Sequence, residues 1–154
     1  MRANDIINKL GLIPHVEGGY FKETYASDVE TNGNSIATSI YFLMEKDNFS
    51  AFHRLTSDEM WFFHSGSPLT ISMIDPDGRY HEVKLGLDFS QGQRPFFTVP
   101  KTWIFGSFVE DGYALVSCVV TPGFTYDDFE LFERDNLLKE YPEYADIIER
   151  LTRK

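Results

Sequence analysis

The sequence predicts an all-β domain, an antiparallel barrel or sandwich with a helix before it and helices after it. Three observations support this prediction. Eight or nine short segments rich in β-branched and aromatic residues follow one another at short, regular spacing. Tight-turn signals separate several of them, most clearly DPDG at residues 75–78. The C-terminal part then changes to an apolar repeat of helical period.

The first element is a short predicted helix in the segment NDIINKLG. Asn4 or Asp5 can cap its start, and Gly11 ends it. Its apolar residues share one face: Ile6, Ile7 and Leu10. The segment GGYFKETYAS follows as a predicted strand, and Gly18 and Gly19 permit the turn into it.

The remaining strands are predicted, in chain order, at SIATSIYFLM, NFSAFHRL, EMWFFHSG, LTISMI, RYHEVKLG, PFFTVP, WIFGSFV and YALVSCVVT. The segments RDNLLKEYP and EYADIIERL then predict two helices. Apolar residues recur at helical spacing in the second: Tyr144, Ile147, Ile148 and Leu151. We expect this apolar face to dock on the chain's own barrel. No repeat, low-complexity tract or linker interrupts residues 1–154, so we expect a single domain.

Charge and hydropathy exclude several classes of partner. The chain has 154 residues and a formal net charge of −10, with no run of Lys or Arg. Nucleic acids and anionic membranes attract basic surfaces, so neither is an expected partner. No apolar run approaches the roughly 20 residues of a spanning helix, and the first residues lack the apolar core of a signal peptide. We therefore expect a cytoplasmic protein. Cys118, in the apolar run ALVSCVVT, is expected to be a buried, inert thiol.

The stretch FHRLTSDEMWFFHSG, residues 52–66, holds two of the four histidines, a carboxylate and several large aromatic residues. Alternate residues of a strand share a face, so Glu59, Trp61 and Phe63 should point one way. Phe62 and His64 should point the other way. Both faces are bulky and apolar, so we expect the barrel interior on one side and a second sheet or subunit on the other.

This stretch resembles the first motif of the cupin superfamily, which reads His-x-His, then Glu, then Gly. His53, Glu59 and Gly66 match it at the family's spacing. The second cupin motif, Pro-x-Gly-x-x-His, corresponds to PKTWIF, where only Pro100 matches.

The segments GLIPHVEGGYFKETYAS, VPKTWIFGSF and VVTPGFTYDDFEL are similar to one cupin branch with a Pro-His-x-Glu-Gly-Gly-Tyr-Phe signature. The resemblance implies a jelly-roll barrel, or double-stranded β-helix, that forms homodimers. It also implies a distant similarity to the barrel of nucleotide-sugar epimerases. Each of these properties is an expectation here.

A cupin metal site resembles three His and one Glu around the ion. His53 and Glu59 stand at two of these positions, but Leu55 and Phe105 occupy the other two and cannot coordinate. His64 could complete a trio only if a bulge rotated it inward. We therefore expect no metal and no cofactor, and a metal-dependent enzyme is the least favoured alternative. A hydrogen-bonded His64 at a subunit contact is the preferred interpretation of that residue.

Without a metal, the same residues suit acid–base chemistry. His53 titrates near neutrality and could act as a general base, with Glu59 either raised in pKa by burial or orienting His53. Tyr20, or Tyr25, could act as the acid. The other charged residues of the signature could bind a ligand or form a structural ion-pair network: Glu17, Lys22 and Glu23.

Three aromatic residues are candidate walls of a ligand pocket: Trp61, Phe63 and Trp103. Their alternative is plain barrel core. We therefore expect a cupin that binds a small molecule, such as a sugar or nucleotide derivative. One hypothesis is a metal-independent epimerase- or isomerase-like enzyme that removes a proton next to a carbonyl. The other is a dimer that binds a metabolite without converting it.

Overall fold

The computed structural model describes residues 1–154 and contains three α-helices and thirteen strands. The helices are α1 (Ala3–Leu10), α2 (Arg134–Glu140) and α3 (Ala145–Arg150). The strands are β1 (Ile13–Pro14), β2 (Tyr20–Ala26), β3 (Glu30–Thr31), β4 (Asn34–Ser35), β5 (Thr38–Glu45), β6 (Ser50–Leu55), β7 (Asp58–Gly66), β8 (Leu69–Ile74), β9 (Tyr80–Leu85), β10 (Phe96–Val99), β11 (Ile104–Val109), β12 (Tyr113–Thr121) and β13 (Phe129–Leu131).

The strands form two antiparallel sheets and one small hairpin. The larger sheet has the order β1-β2-β5-β12-β7-β10, and the smaller has the order β13-β6-β11-β8-β9. The strands β3 and β4 pair only with each other. Chain segments alternate between the two sheets, as in a jelly roll. The predicted all-β jelly-roll with a short N-terminal helix and C-terminal helices is confirmed.

Three apolar clusters hold the layers together. The largest fills the space between the sheets and includes Trp61, Leu55 and Phe105. The second packs the C-terminal helices on the smaller sheet through buried residues that include Ile148 and Leu151. Burying an aliphatic side chain of this size contributes about 1.5–3 kcal/mol. The expectation that the last helix docks on the chain's own barrel is therefore confirmed.

The third cluster places α1 on the outer face of the larger sheet, with Ile6, Leu12 and Leu43 buried in it. The helix begins at Ala3 rather than at Asn4 or Asp5. The Arg2 backbone N–H donates to Asp5 Oδ2 at 3.0 Å, so Asp5 caps from inside the first turn. Gly11 ends the helix at a φ of 68°, as predicted.

Four strands were not predicted: β1, β3, β4 and β13. Each has only two or three residues, which is too short for an alternating pattern to appear. Seven of the other nine strands lie within the predicted segments, and β5 and β7 each extend one residue beyond theirs, at Glu45 and Asp58. No helix is long and apolar enough to cross a membrane.

Candidate functional site

A cavity of about 160 Å³ opens at the larger sheet and extends between the two sheets. Its polar lining consists of His15, Glu17, Glu23, Thr38, Ser39 and Glu59. Its apolar lining consists of Phe21, Ile40, Phe42, Cys118, Val120, Phe124 and Tyr126. Clefts of about 830 and 460 Å³ lie beside the C-terminal helices, but no titratable side chain in either is buried. The smaller cavity is therefore the better candidate site.

A tight loop between β1 and β2 directs Glu17 into the barrel. The loop closes through the His15 N–H, which donates to the Gly19 carbonyl at 2.9 Å. Gly18 has a φ of 111°, and a Cβ there would lie 1.8 Å from the Phe49 carbonyl oxygen. Only glycine fits this backbone, so the Gly-Gly pair fixes the position of the residue before it.

The Glu17 main chain is held as firmly as its side chain. Its carbonyl oxygen accepts hydrogen bonds from the Ala51 N–H at 2.8 Å and from Arg153 Nη1 at 3.0 Å. Arg153 Nη2 also donates to the Phe49 carbonyl at 3.0 Å. The second-last residue of the chain thus fastens the loop to the barrel.

The Glu17 carboxyl lies between two histidines. Its Oε1 is 3.4 Å from His15 Nδ1, and its Oε2 is 3.3 Å from His53 Nε2. The Ser50 hydroxyl donates a further hydrogen bond to Oε2. All of these side chains are at least nine-tenths buried, so they form a polar group inside an apolar barrel.

Hydrogen bonds define where the histidine protons lie. The Ala51 carbonyl can only accept, so His53 Nδ1 donates the 2.7 Å bond to it. The Glu17 backbone N–H donates to His15 Nδ1 at 3.2 Å, so that nitrogen is unprotonated. Nε2 of a neutral His53 therefore presents a lone pair to Glu17 Oε2, 3.3 Å away, and can accept from the protonated form of that carboxyl.

Burial shifts Glu17 and both histidines toward their uncharged forms. Desolvation raises the pKa of Glu17, although His15, Ser50 and Arg153 partly offset the rise. Desolvation also lowers the pKa of His53 to about 4 and lowers the pKa of His15. Burial therefore favours neutral His53 beside protonated Glu17 over the corresponding ion pair.

Glu59 is the second buried carboxyl on the cavity. Burial raises its pKa well above the ordinary value, and the negative charge of Glu17 raises it further. The Trp61 indole partly offsets this rise, although Trp61 Nε1 makes no hydrogen bond of normal geometry. Two buried carboxyls on one cavity, one of which disfavours ionisation of the other, are an arrangement typical of acid–base sites.

The sequence left two alternatives for Glu59, a pKa raised by burial or a role in orienting His53. Burial does raise the pKa of Glu59, and the carboxyl beside His53 is that of Glu17. His53 itself does not line the cavity. The Phe105 and Phe129 rings enclose it, with centroids 4.1 and 5.4 Å from the imidazole centroid. His53 therefore acts behind Glu17, and Glu17 presents the reactive group to the cavity.

The residues do not fit a cupin metal ion. No group of three or more His, Cys, Asp or Glu side chains has an arrangement that could hold one. Leu55 and Phe105 belong to the apolar core at the two remaining ligand positions. Both His53 nitrogens already face protein partners, Ala51 and Glu17. We therefore derive no metal-dependent step.

Strand β2 separates its predicted site residues into two groups. Phe21 and Glu23 face the cavity. Tyr20 instead packs with the cluster under α1, and Lys22 is exposed on the same outer face. Tyr25 is mostly exposed and does not line the cavity. The assignment of Tyr20 as catalytic acid is therefore corrected, because alternation turns it away from the barrel.

The predicted aromatic walls are core residues. Trp61 is fully buried in the largest cluster, and Phe63 packs against that cluster. Trp103 packs there too, and its ring centroid is 4.8 Å from that of His81. None of the three lines the cavity.

The aromatic lining comes from elsewhere: Phe21, Phe42, Phe124 and Tyr126. Phe124 and Tyr126 lie in the turn after β12, with ring centroids 5.0 Å apart. Sequence reasoning missed this turn, because no periodic pattern marks an irregular segment. His15 lies two residues before Glu17 in the segment PHVEGGY, and this spacing was the available signal that the two side chains could lie together.

The three remaining thiol and imidazole groups are not reactive elements of the cavity. Burial raises the pKa of Cys118, and Glu59 and Glu17 add to the rise, so the thiol stays protonated as predicted. His64 Nε2 lies 2.5 Å from Ser117 Oγ on the outer face of the larger sheet. His81 Nε2 lies 2.8 Å from Asp75 Oδ2 near the β8–β9 turn.

Known proteins share both the sequence pattern and the fold. The family described as "Cupin superfamily (DUF985)" matches residues 4–132. An uncharacterized protein of Saccharomyces cerevisiae is 31% identical over 156 residues, which cover 87% of this chain and 77% of the yeast protein.

Solved structures show the same architecture. A Shewanella oneidensis protein superposes with a TM-score of 0.96 at 48% identity, over 99% of this chain and 98% of that protein. A hypothetical protein from Leishmania major superposes with a TM-score of 0.93 at 36% identity, over the whole of both chains. Oxalate decarboxylase from Bacillus subtilis shares the fold alone, with a TM-score of 0.60 at 12% identity, over 90% of this chain and 36% of that protein.

Proposed function

This chain belongs to the cupin superfamily, in the family described as DUF985, and we propose that it binds a small organic molecule in its barrel and moves protons on it. The proposed reaction is metal-independent and epimerase- or isomerase-like. A carboxyl group removes a proton from a carbon next to a carbonyl, and a second group returns a proton. The ligand we propose is a sugar or a nucleotide-derived fragment.

One observation supports this proposal most directly. Glu17 and Glu59, both buried, line the same cavity, and the negative charge of Glu17 disfavours ionisation of Glu59. A packed core does not collect carboxyls without compensation or use, since each uncompensated charge is costly to bury. Pairs of titratable groups with mutually shifted pKa values are typical of acid–base sites.

The neighbours of the two carboxyls suggest separate roles. Glu59 has the more strongly raised pKa and few polar partners, so it is the proton donor. Glu17 becomes the base when its proton moves to His53 Nε2, at 3.3 Å. The resulting Glu17 carboxylate is stabilised by Ser50 and by the new imidazolium. It can then take a proton from a ligand carbon in the cavity.

Other residues support these roles without touching the reacting atoms. His53 is a positioning and proton-storing residue, because Glu17 separates it from the cavity. Tyr126 and Glu23 lie at the exposed mouth and suit ligand binding. Tyr126 replaces Tyr20 as the tyrosine that faces the cavity.

A non-catalytic metabolite-binding protein is the second candidate function. The observation that favours it is the degree to which Glu17 is already satisfied: Ser50, His15 and His53 all contact its carboxyl. Such a network can orient a ligand and specify a core without moving protons.

A homodimer is part of both proposals. The outer face of the larger sheet exposes Phe62 and Phe96, whose rings are 5.0 Å apart. Beyond Phe21, no strand pairs with the outer edge of β2. Apolar patches and free edges are the features that partner subunits cover. A sedimentation velocity run that shows only monomer at micromolar concentration would contradict the dimer.

Deuterium exchange tests for an enzyme whose substrate is unidentified. The purified protein is incubated with a desalted metabolite extract in D₂O, and mass spectrometry identifies metabolites that gain deuterium at carbon. We expect at least one, and we expect the gain to fall about 10²-fold or more in Glu17→Gln and in Glu59→Gln. Glu133→Gln, on the exposed surface, is the control.

The two candidate functions differ in a second measurement. Denaturing the purified protein releases any bound small molecule for identification by mass spectrometry. A released molecule that never exchanges deuterium supports the binding protein. Equal exchange by Glu17→Gln and the unchanged protein would exclude Glu17 as the base.

A further inference from the structure

We infer that the cavity selects a single-ring molecule that is uncharged or cationic and donates hydrogen bonds, and that it rejects phosphate- or carboxylate-bearing analogues. The inference rests on the proposed function, because it concerns the ligand of the same cavity. It narrows the ligand by size, by charge and by hydrogen-bonding direction.

Size limits the ligand to about one ring. The cavity volume is about 160 Å³. An apolar protein cavity of about 150 Å³ accommodates a benzene molecule, and sites for drug-sized ligands are about 300–1,000 Å³. A whole nucleotide sugar therefore exceeds the enclosed space, whereas a single sugar or heteroaromatic ring fits it.

Charge excludes anionic ligands. Three carboxyl-bearing residues line the cavity, Glu17, Glu23 and Glu59, and no Lys or Arg does so. The Arg153 guanidinium is occupied by the Glu17 and Phe49 carbonyls and lies over the Phe49 ring at 4.0 Å. A phosphate would thus be buried with no cation to compensate its charge, and burying an uncompensated charge is costly.

The polar groups of the cavity favour ligands that donate hydrogen bonds. Glu59 is only 8% exposed and lines the cavity, and the only protein group that lowers its pKa by a hydrogen bond is the Trp61 indole. A carboxyl group can accept further hydrogen bonds, so a ligand N–H or O–H that reaches Glu59 has an acceptor inside the cavity. Thr38 Oγ1 already accepts from the Phe124 N–H at 2.9 Å. The aromatic walls provide flat surfaces for a ring, and their faces also attract cations.

A panel of three compounds that share one ring but are cationic, uncharged and anionic tests the inference. Isothermal titration measures the affinities of benzamidine, benzyl alcohol and benzoate for the full-length protein. We expect benzamidine to bind at least tenfold more tightly than benzoate, with benzyl alcohol between them. A second comparison pairs glucose with its phosphate monoester, and we expect glucose to bind more tightly.

Two variants test whether the panel members bind in this cavity and whether Glu59 is responsible for the charge preference. Ile40→Trp adds a large side chain to the cavity wall and should abolish binding of every panel member. Glu59→Gln should reduce the preference for benzamidine over benzoate by about tenfold. Glu133→Gln should leave both affinities unchanged.

Each outcome bears on one hypothesis. The inference is wrong if benzoate or a phosphate ester binds as tightly as its comparison compound and Ile40→Trp abolishes that binding. In that case the cavity still binds small molecules, but without the proposed charge preference. Failure of every panel member to bind also overturns the inference. The proposed function fails separately if no released molecule is found and no metabolite gains deuterium.

Discussion

Two histidine–carboxylate pairs in this protein have the same chemistry and opposite environments. His53 Nε2 and Glu17 Oε2 are 3.3 Å apart inside the barrel, where the two side chains are 2% and 8% exposed. His81 Nε2 and Asp75 Oδ2 are 2.8 Å apart by the β8–β9 turn, where the histidine side chain is 42% exposed. The pairs differ in solvent access rather than in composition.

The carboxyls of the two pairs respond in opposite directions. Burial raises the pKa of Glu17, whereas the hydrogen bond from His81 and those from the Arg79 and Asp77 backbone lower the pKa of Asp75. Desolvation therefore favours the uncharged form of the buried carboxyl, whereas hydrogen bonds favour the charged form of the carboxyl at the turn. The surroundings of a histidine–carboxylate pair thus decide which form of its carboxyl is favoured.

The largest expected effect comes from Gly18→Ala, which breaks the inner pair without changing either of its members. The new Cβ would lie 1.8 Å from the Phe49 carbonyl oxygen at a φ of 111°. Overpacking and a left-handed backbone together should cost about 4 kcal/mol of unfolding free energy. Urea unfolding measures this loss.

Gly33→Ala is the matched control for that variant. Gly33 also has a positive φ, of 82°, but no atom lies within 4 Å of its added Cβ. It should cost only about 1 kcal/mol, from backbone strain alone. Equal losses in the two variants would show that the contact with Phe49 does not fix the Glu17 loop.

The strands of this fold could be predicted because their signals are local. LTISMI and YALVSCVVT match β8 and β12 residue for residue. Alternation also placed Glu59 and Trp61 on the inner face of β7, and both are buried. Alternation alone would have separated Tyr20 and Lys22 from Phe21 and Glu23, so the error on Tyr20 was avoidable.

The rest of the site depends on contacts between distant parts of the chain. Glu17 meets Ser50 and His53 because the Ala51 N–H binds the Glu17 carbonyl, a pairing that no spacing reveals. Arg153 reaches the same loop from the C terminus, 136 residues away. Tyr126 lies in an irregular turn. Residue type indicated acid–base chemistry, whereas the identity of the partners required the fold.

The second prediction concerns stability in acid, where the inner pair should lose its neutral histidine. A pKa of about 4 for folded His53, against its ordinary 6.5, means that the unfolded chain takes up the proton first. Folding stability from this group is therefore present above pH 6.5 and is lost as the pH falls through 4. The loss between neutral pH and pH 4 should be about 3 kcal/mol.

His53→Asn should remove this loss, so its urea-unfolding stability should depend less on pH than that of the unchanged protein. Glu17 and Glu59 change stability with pH in the opposite direction to His53, and His15 changes it in the same direction. The quantity to measure is therefore the difference in stability between His53→Asn and the unchanged protein at each pH. An unaltered slope in His53→Asn would show that His53 is solvated.

The smallest expected change in stability comes from replacing one carboxyl inside the barrel and one at the β8–β9 turn by amides. The two replacements should change stability in opposite directions. Folded Glu59 has a raised pKa, so its stability contribution is complete below the unfolded pKa and falls as the pH rises through the folded pKa. Glu59→Gln cannot ionise and should be more stable than the unchanged protein by about 1 kcal/mol or more at pH 8. Asp75→Asn should instead be slightly less stable there, because the pKa of Asp75 is lowered. Thermal unfolding at pH 8 compares the two. If both variants lose stability, the ionised Glu59 carboxylate stabilises the fold. If Glu59→Gln instead gains stability and loses deuterium exchange, the protein keeps a destabilising carboxyl because its chemistry needs one.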